Sequence, residues 1–340
     1  MIFQHAILAI LLVGASTVLA LGLASAHAWA VLRHWNPASG AALQLRLERR
    51  GTLVAAAVAL LLVAQGMALV LFVLNADRMA GSFVGAMCAV GTLQVNAWGF
   101  PALHARIALF FLSAMWLSLH HVDARAPDYP LARAKNGLLL AIVPVAAASF
   151  ALELAYFLNL RADVITSCCG SLFAADATAA PAELSGWLAT RDPAAAIAAF
   201  FAGIVAVFGV AGMVAVRGRG GWLLGLSGMG AFVLTLAAIP SFVSLYVYED
   251  PHHHCPFCLL KADYGHQGYA LYVPLFAATA AALGAAALAP FARRPALAAR
   301  IARATRRLAF VSGALYAVVA VVVAVIVLRS GLVLVGDALR

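Results

Sequence analysis

Long apolar runs dominate this chain and limit what it can fold into. A helix that spans a lipid bilayer needs about 20 mostly apolar residues. Seven stretches meet that requirement clearly, and their only acidic residue is Glu153: 6–32, 51–75, 137–158, 193–216, 221–248, 268–291 and 308–328. An eighth stretch, 100–121, also qualifies although it carries His104 and Arg106 near one end.

Composition excludes an ordinary soluble fold. Hydrophobic residues make up 65% of the 340 residues and charged residues only 10%, whereas a soluble domain carries about 25% charged residues. The sequence therefore predicts an all-α fold, a polytopic helical membrane bundle with about eight transmembrane helices. We expect residues 1–340 to form a single integral membrane domain in contact with the lipid bilayer.

The segment 79–99 is uncharged but is poor helix material. It contains Gly81, Gly85, Gly91 and Gly99 together with several small polar residues, and glycine disfavours a helix interior. Irregular backbone at membrane depth is tolerated only where protein or water satisfies its hydrogen bonds. We therefore expect an outward-facing re-entrant or surface segment that does not cross the bilayer.

The basic residues indicate how the bundle is oriented. With eight spans, one face receives the loops 33–50, 122–136, 217–220 and 292–307, which hold 4, 3, 2 and 6 of the 22 lysines and arginines. Loops rich in lysine and arginine stay in the cytoplasm. The pattern predicts a bacterial-type cytoplasmic (inner) membrane protein with both termini extracytoplasmic. The net charge of +9 is then an orientation signal and a contact for lipid head groups, and we expect no nucleic-acid partner.

All five cysteines fall on the predicted extracytoplasmic side. Cys88 lies in segment 79–99, the adjacent Cys168 and Cys169 lie in 159–192, and Cys255 and Cys258 lie in 248–267. Two thiols three positions apart can close a small disulfide or hold one metal ion. Pro256 between them suits the first turn of a helix, which would place Cys255 at a helix N-terminus where the dipole stabilises a thiolate.

A soft-metal site is the first function that these residues predict. Three histidines precede Cys255 directly, and thiolate with imidazole suits copper(I) or zinc. The candidate metal ligands are Cys88, Cys168, Cys169, His252, His253, His254, Cys255 and Cys258. Such a protein would bind, transfer or transport the metal for a metalloenzyme or a respiratory complex, with a metallochaperone as its extracytoplasmic partner.

Thiol–disulfide exchange is the second function, with Cys255, Cys258, Cys168 and Cys169 as catalytic residues and a thioredoxin-like protein as partner. Two cysteine pairs on neighbouring outward loops of a helical bundle resemble the arrangement in disulfide-forming membrane proteins, including the vitamin K epoxide reductase class. The resemblance covers the layout of the pairs and neither the span number nor the detailed sequence. A third alternative is a structural subunit of a membrane complex that disulfides hold together.

A second group of histidines lies near the predicted cytoplasmic side. His27 and His34 are seven residues apart on one helix face, and His120 and His121 end the span 100–121. Two histidines on facing helices can ligate a haem. Because the sequence specifies no other part of a haem pocket, we do not expect one here.

Overall fold

The structure, a computed structural model, describes residues 4–36, 39, 41–161, 193–332 and 334. Its described part is all-helical, with 83% of the described residues in helices and no β-strand among them. Eight of the described helices are long and apolar enough to cross a membrane, and they coincide with the eight predicted spans. The helices, in chain order, are α1 (His5–His34), α2 (Ala42–Met79), α3 (Ala89–Leu93), α4 (Gly99–Asp123), α5 (Ala132–Leu158), α6 (Pro193–Arg217), α7 (Gly221–Ala238), α8 (Ser244–Tyr248), α9 (Gln267–Leu288) and α10 (Pro295–Arg329).

The all-α prediction is thus confirmed, and the described residues contain eight helices that are long and apolar enough to span a membrane. Between Ser82 and Gly99 the described backbone forms turns and the five-residue helix α3, which is too short to span a bilayer. The path of this segment relative to the bilayer, and the exact number of crossings, stay predictions. So do the membrane type and the side on which the termini lie.

The internal contacts divide the chain into two compact units. The first comprises Met1–Val84, Thr92–Ile165 and Pro290–Ile301, and the second comprises Gly85–Gly91, Thr166–Ala289 and Ala302–Arg340. Helices α1, α2, α4 and α5 build the first unit around a shared apolar core, in which Leu21, Val58 and Ile142 are almost completely buried.

An ion pair lies inside the first unit, between two predicted membrane spans. Arg106 of α4 places its Nε 2.5 Å from Oε1 of Glu153 on α5, and its Nη2 donates to Oε2 at 2.6 Å. Ser149 donates to the same carboxylate at 3.0 Å, and Gln65 of α2 accepts from Arg106 at 3.4 Å. These contacts satisfy two charges that would otherwise be very costly in an apolar interior.

Small residues let the helices of the second unit approach closely. A Cβ atom on Gly225 or Gly228 of α7 would lie within 2.6 Å of an alanine Cβ on α9, so only glycine fits this helix contact. Tyr316 of α10 then donates to the carbonyl of Gly228 at 2.6 Å and lies 2.9 Å from the hydroxyl of Thr279 on α9. The hydroxyl of Tyr316 therefore ties α7, α9 and α10 together.

Candidate metal centre

Three cysteines of the second unit meet in one buried cluster. The Sγ atoms of Cys88, Cys255 and Cys258 all lie within 4.8 Å of one another, and those of Cys88 and Cys255 are 3.4 Å apart. The three residues are 0%, 2% and 5% exposed, respectively. No disulfide joins them, and we call them the cysteine triad.

Two tyrosine hydroxyls hold the backbone that carries Cys255. Tyr248, at the end of α8, donates to the carbonyl of Cys255 at 2.6 Å, and Tyr272 of α9 donates to the carbonyl of Pro256 at 2.8 Å. Both hydroxyls come from helices that are fixed in the second unit. The positions of the Cys255 and Cys258 sulfurs are therefore set by the helices as well as by their own loop.

A wide helical turn, which we call the π turn, contacts this loop. Residues Ile239–Val243, between α7 and α8, form a π-helix that includes Pro240, a local feature that is frequent at functional sites. The carbonyl of Pro240 accepts a hydrogen bond from Nδ1 of His254 at 2.8 Å. This contact fixes the residue that directly precedes Cys255.

The expectation that Pro256 begins a helix is wrong. The short helical turn begins at Cys258 and is a 3₁₀ turn, Cys258–Leu260. A single such turn carries little of the dipole that we expected to stabilise a Cys255 thiolate. Hydrogen bonds from neighbouring thiols and backbone N–H groups, rather than a helix dipole, stabilise the Cys255 thiolate.

The hydrogen bonds of the triad favour one thiolate. Hydrogen bonds from the thiols of Cys258 and then Cys88 lower the pKa of Cys255 to about 4, with the backbone N–H groups of Phe257 and Cys258 acting in the same direction against burial. The same hydrogen bonds raise the pKa of Cys258. The pKa of Cys88 is also raised, first by its hydrogen bond to Cys255. At neutral pH the triad therefore carries one thiolate and two thiols.

The triad has the dimensions of a three-sulfur metal site. Sulfur lies about 2.3 Å from a bound ion, so three such sulfurs are separated by roughly 3.8–4.0 Å. The Cys88–Cys255 separation of 3.4 Å is shorter than that value, and the other two separations are at most 4.8 Å. Shifts of less than about 1 Å would therefore bring all three sulfurs to bonding distance of one ion.

The structure brings together only some of the predicted ligands. Cys88, Cys255 and Cys258 converge, as we expected of an extracytoplasmic site, whereas Cys168 and Cys169 lie outside the described residues. No histidine nitrogen or carboxylate oxygen of the described residues joins the set within 4.8 Å. Whether the triad or any histidine binds a metal stays a prediction.

The three histidines occupy different surroundings. His252 is exposed, and its backbone N–H donates to the carboxylate of Asp250 at 2.9 Å. The ring of His253 packs on that of Tyr248 with centroids 3.9 Å apart, and burial lowers the pKa of His253. The ring of His254 is held by a hydrogen bond to the carbonyl of Pro240 in the π turn.

Sequence reasoning missed Tyr248 and Tyr272. Both lie at the ends of apolar runs, where tyrosine is common in membrane proteins because its ring is apolar and its hydroxyl can contact water. Nothing in the local pattern connects either hydroxyl to the cysteines. The connection depends on the fold of residues 248–272.

The histidines considered for haem lie in the first unit, away from the triad in the chain. His27 and His120 line one cavity there. His34 and His121 are exposed and do not line that cavity. The structure therefore brings together one histidine from each of the two predicted pairs.

Comparison with protein-family models, with curated proteins and with solved structures finds no match to this chain.

Proposed function

We propose that the cysteine triad binds one soft metal ion, copper(I) in preference to zinc, and that this membrane protein holds or passes on that ion. The observation that supports the proposal is the gathering of three buried sulfurs within 4.8 Å of one another. Thiolate ligands favour copper(I) and zinc over hard cations such as magnesium or calcium.

The number of ligands favours copper(I) over zinc. A structural zinc site is almost always tetrahedral, with four protein ligands. The described residues supply three sulfurs and no fourth histidine, cysteine or carboxylate ligand within the same distance limit. Three sulfurs around one ion suit copper(I), which needs no fourth ligand.

The charge of the site also suits a small cation. Cys255 provides a preformed negative charge in a buried position. An isolated buried charge is costly, so a bound cation would remove a penalty that the free protein carries. The two remaining thiols would release their protons as the ion binds.

Thiol–disulfide exchange is the second candidate, and the lowered pKa of Cys255 favours it. The Cys255 thiolate would attack one sulfur of a partner's disulfide and release the partner's other sulfur as a thiolate. Cys88 or Cys258 would then displace the partner, leaving a disulfide in this protein and a dithiol in the partner. However, cysteine residues that are at most 5% exposed are poorly accessible to a disulfide held in another protein, whereas a single ion needs far less room.

The test is a copper(I) titration of the purified full-length protein under reducing conditions against a competing chelator. We expect one copper(I) per chain, and a loss of affinity of at least about 100-fold on Cys88→Ser, Cys255→Ser or Cys258→Ser, because ligands matter more than the supporting groups that cost about 10–100-fold. Cys168→Ser with Cys169→Ser is the matched control and should keep the bound copper.

Two results would overturn the proposal. One is wild-type protein that binds no copper(I) or zinc but exchanges disulfides with a soluble thioredoxin-like protein, which would establish the second candidate. The other is copper(I) binding that survives Cys88→Ser unchanged, since the ion would then lie outside the triad.

A further inference from the structure

A cavity of about 230 Å³ lies in the first unit, between helices α1, α2, α4 and α5. A cavity of about 150 Å³ is enough to hold a benzene molecule, and pockets for drug-sized ligands begin at about 300 Å³. The volume therefore suits a substituted ring or two fused rings, and is too small for a haem.

The cavity offers hydrogen-bonding groups from two different helices. His27 of α1 and His120 of α4 both line it. Nδ1 of His120 is buried and has no hydrogen-bond partner among the residues that the structure describes. A buried polar atom of this kind is normally satisfied, so the cavity is suited to a ligand with an oxygen or nitrogen at that position.

Aromatic rings form part of the cavity wall. Trp35 and Trp116 line it, and the ring of His120 stacks on Trp116 with centroids 5.1 Å apart and planes 16° from parallel. The indole N–H of Trp116 is already bound to the carbonyl of Lys135 at 3.1 Å. Trp116 is therefore fixed in place and supports the His120 ring, so that a flat ligand meets a rigid wall.

The charges at the cavity argue against an anionic ligand. Lys135 lines the cavity, but its Nζ lies 2.6 Å from Oδ2 of the buried Asp123, so its charge is already compensated. Glu48 lines the cavity as well. Apart from the two imidazoles, the charged side chains that line the cavity therefore carry no net positive charge to bind a phosphate group, and a neutral ligand is favoured.

The opening of the cavity lies along one face of α2. Glu48, Thr52 and Ala56 are spaced four residues apart, line the cavity and are exposed. Residues with this spacing share a helix face. In a membrane protein an exposed helix face so near the helix start at Ala42 meets lipid and head groups, so the ligand would enter sideways from the bilayer.

We propose that this cavity binds the head group of a membrane quinone. Such a ligand is neutral and planar, has carbonyl oxygens on opposite sides for His27 and His120, and is carried in the bilayer by its own apolar tail. The proposal concerns binding alone and is independent of the cysteine triad, which lies in the second unit.

The test uses menadione, a two-ring quinone without a tail, and full-length protein in lipid nanodiscs. Quinones quench tryptophan fluorescence, and two of the six tryptophans line the cavity. We expect saturable quenching by menadione, and we expect saturation of the protein with ubiquinone-1 beforehand to reduce the further quenching that menadione causes, while inorganic phosphate has no effect. Quenching that rises linearly without saturation would show partitioning into lipid only and would overturn the proposal, as would displacement by phosphate.

Two pairs of variants locate the bound quinone. Ala56→Phe should close the opening and abolish saturable quenching, whereas Ala57→Phe, on the neighbouring exposed position, should leave it unchanged. His120→Phe keeps the stacked ring but removes the nitrogen, and should weaken binding about fivefold to tenfold. His121→Phe is its control.

Each variant is compared with wild type for its melting temperature. His120→Phe keeps a flat aromatic ring of similar shape on Trp116, so it is the decisive variant if Ala56→Phe lowers the melting temperature. Equal menadione affinity in wild type, His120→Phe and His121→Phe would place the quinone elsewhere and overturn the proposal.

Discussion

The Sγ atom of Cys88 lies 3.4 Å from that of Cys255, a residue 167 positions later in the chain. Cys88 reaches this position from the turn that precedes the short helix α3, whereas Cys255 lies in the loop after α8. Both belong to the second unit. The short segment Gly85–Gly91 thus contributes a third sulfur to a loop that otherwise offers only the pair Cys255 and Cys258.

We predict that the three histidines before Cys255 contribute unequally to metal binding. His254→Ala removes the hydrogen bond to Pro240, and should weaken copper(I) binding about 10–100-fold, the usual cost of losing a group that supports a ligand. His252→Ala, at an exposed position, should change the affinity little. Chelator competition measures both, and equal losses in the two variants would contradict the assignment.

A second prediction concerns the hydroxyl of Tyr248. Tyr248→Phe removes the hydrogen bond to the carbonyl of Cys255 while keeping the ring, and a hydrogen bond contributes about 0.5–1.5 kcal/mol. We therefore expect copper(I) affinity to fall about twofold to tenfold. Tyr264→Phe is the matched control, because its ring packs on Tyr248 while its hydroxyl makes no hydrogen bond among the described residues. A loss in the control as large as that in Tyr248→Phe would show that the hydrogen bond to Cys255 has no specific role in metal binding.

A third prediction is the pH dependence of metal binding. Between pH 6 and 8, Cys255 is already a thiolate because its pKa is lowered to about 4, whereas the raised pKa values of Cys88 and Cys258 keep both protonated. Copper(I) must then displace two protons, so affinity rises with pH, by about 100-fold per pH unit. A proton-release measurement in weakly buffered solution checks this, and release of three protons per ion would show that Cys255 is not a preformed thiolate.

The spans were predictable because their signal is local. About 20 apolar residues in succession define a membrane helix with no knowledge of its neighbours, and even 100–121, with Arg106 near its end, proves to be the long helix α4. The gathering of Cys88 with Cys255 and Cys258 was also predictable in outline, because all three fall on the same predicted side.

The details of the site depend on contacts between distant residues, which no local pattern contains. The sequence shows Arg106 in one span and Glu153 in another, but their pairing joins residues 47 positions apart. Likewise, the π turn at Ile239–Val243 and the hydrogen bonds of Tyr248 and Tyr272 depend on how α7, α8 and α9 pack. The helix expected at Pro256 was wrong for a related reason, because the neighbouring hydroxyls, rather than the local propensity of proline, hold that backbone.

A fourth prediction tests the buried pair of Arg106 and Glu153. Glu153→Leu leaves the guanidinium of Arg106 buried without its partner, and should lower the free energy of unfolding by about 3–5 kcal/mol. The double variant Arg106→Met with Glu153→Leu should recover most of that loss, since an apolar pair of similar volume is often as stable as a buried ion pair.

Thermal or denaturant unfolding in detergent measures the stability of the variants, and Asp263→Asn, at an exposed acid outside the spans, is the control. If the double variant were as unstable as Glu153→Leu, the pair would be needed for something other than mutual charge compensation.

The last prediction concerns topology. Because the loops 33–50, 122–136, 217–220 and 292–307 hold most of the lysines and arginines, we expect a reporter at Arg219 to be cytoplasmic and reporters at both termini to be extracytoplasmic. The comparison of the two termini tests the number of crossings most directly. Eight crossings place the termini on the same side of the membrane, whereas a ninth crossing, through 79–99, would place them on opposite sides. Reporters that are active only on one side of the membrane, fused at each position in turn, measure this. Termini on opposite sides would mean that 79–99 crosses the bilayer despite its four glycines and its lack of a long helix, and would move the basic loop 292–307 to the opposite side.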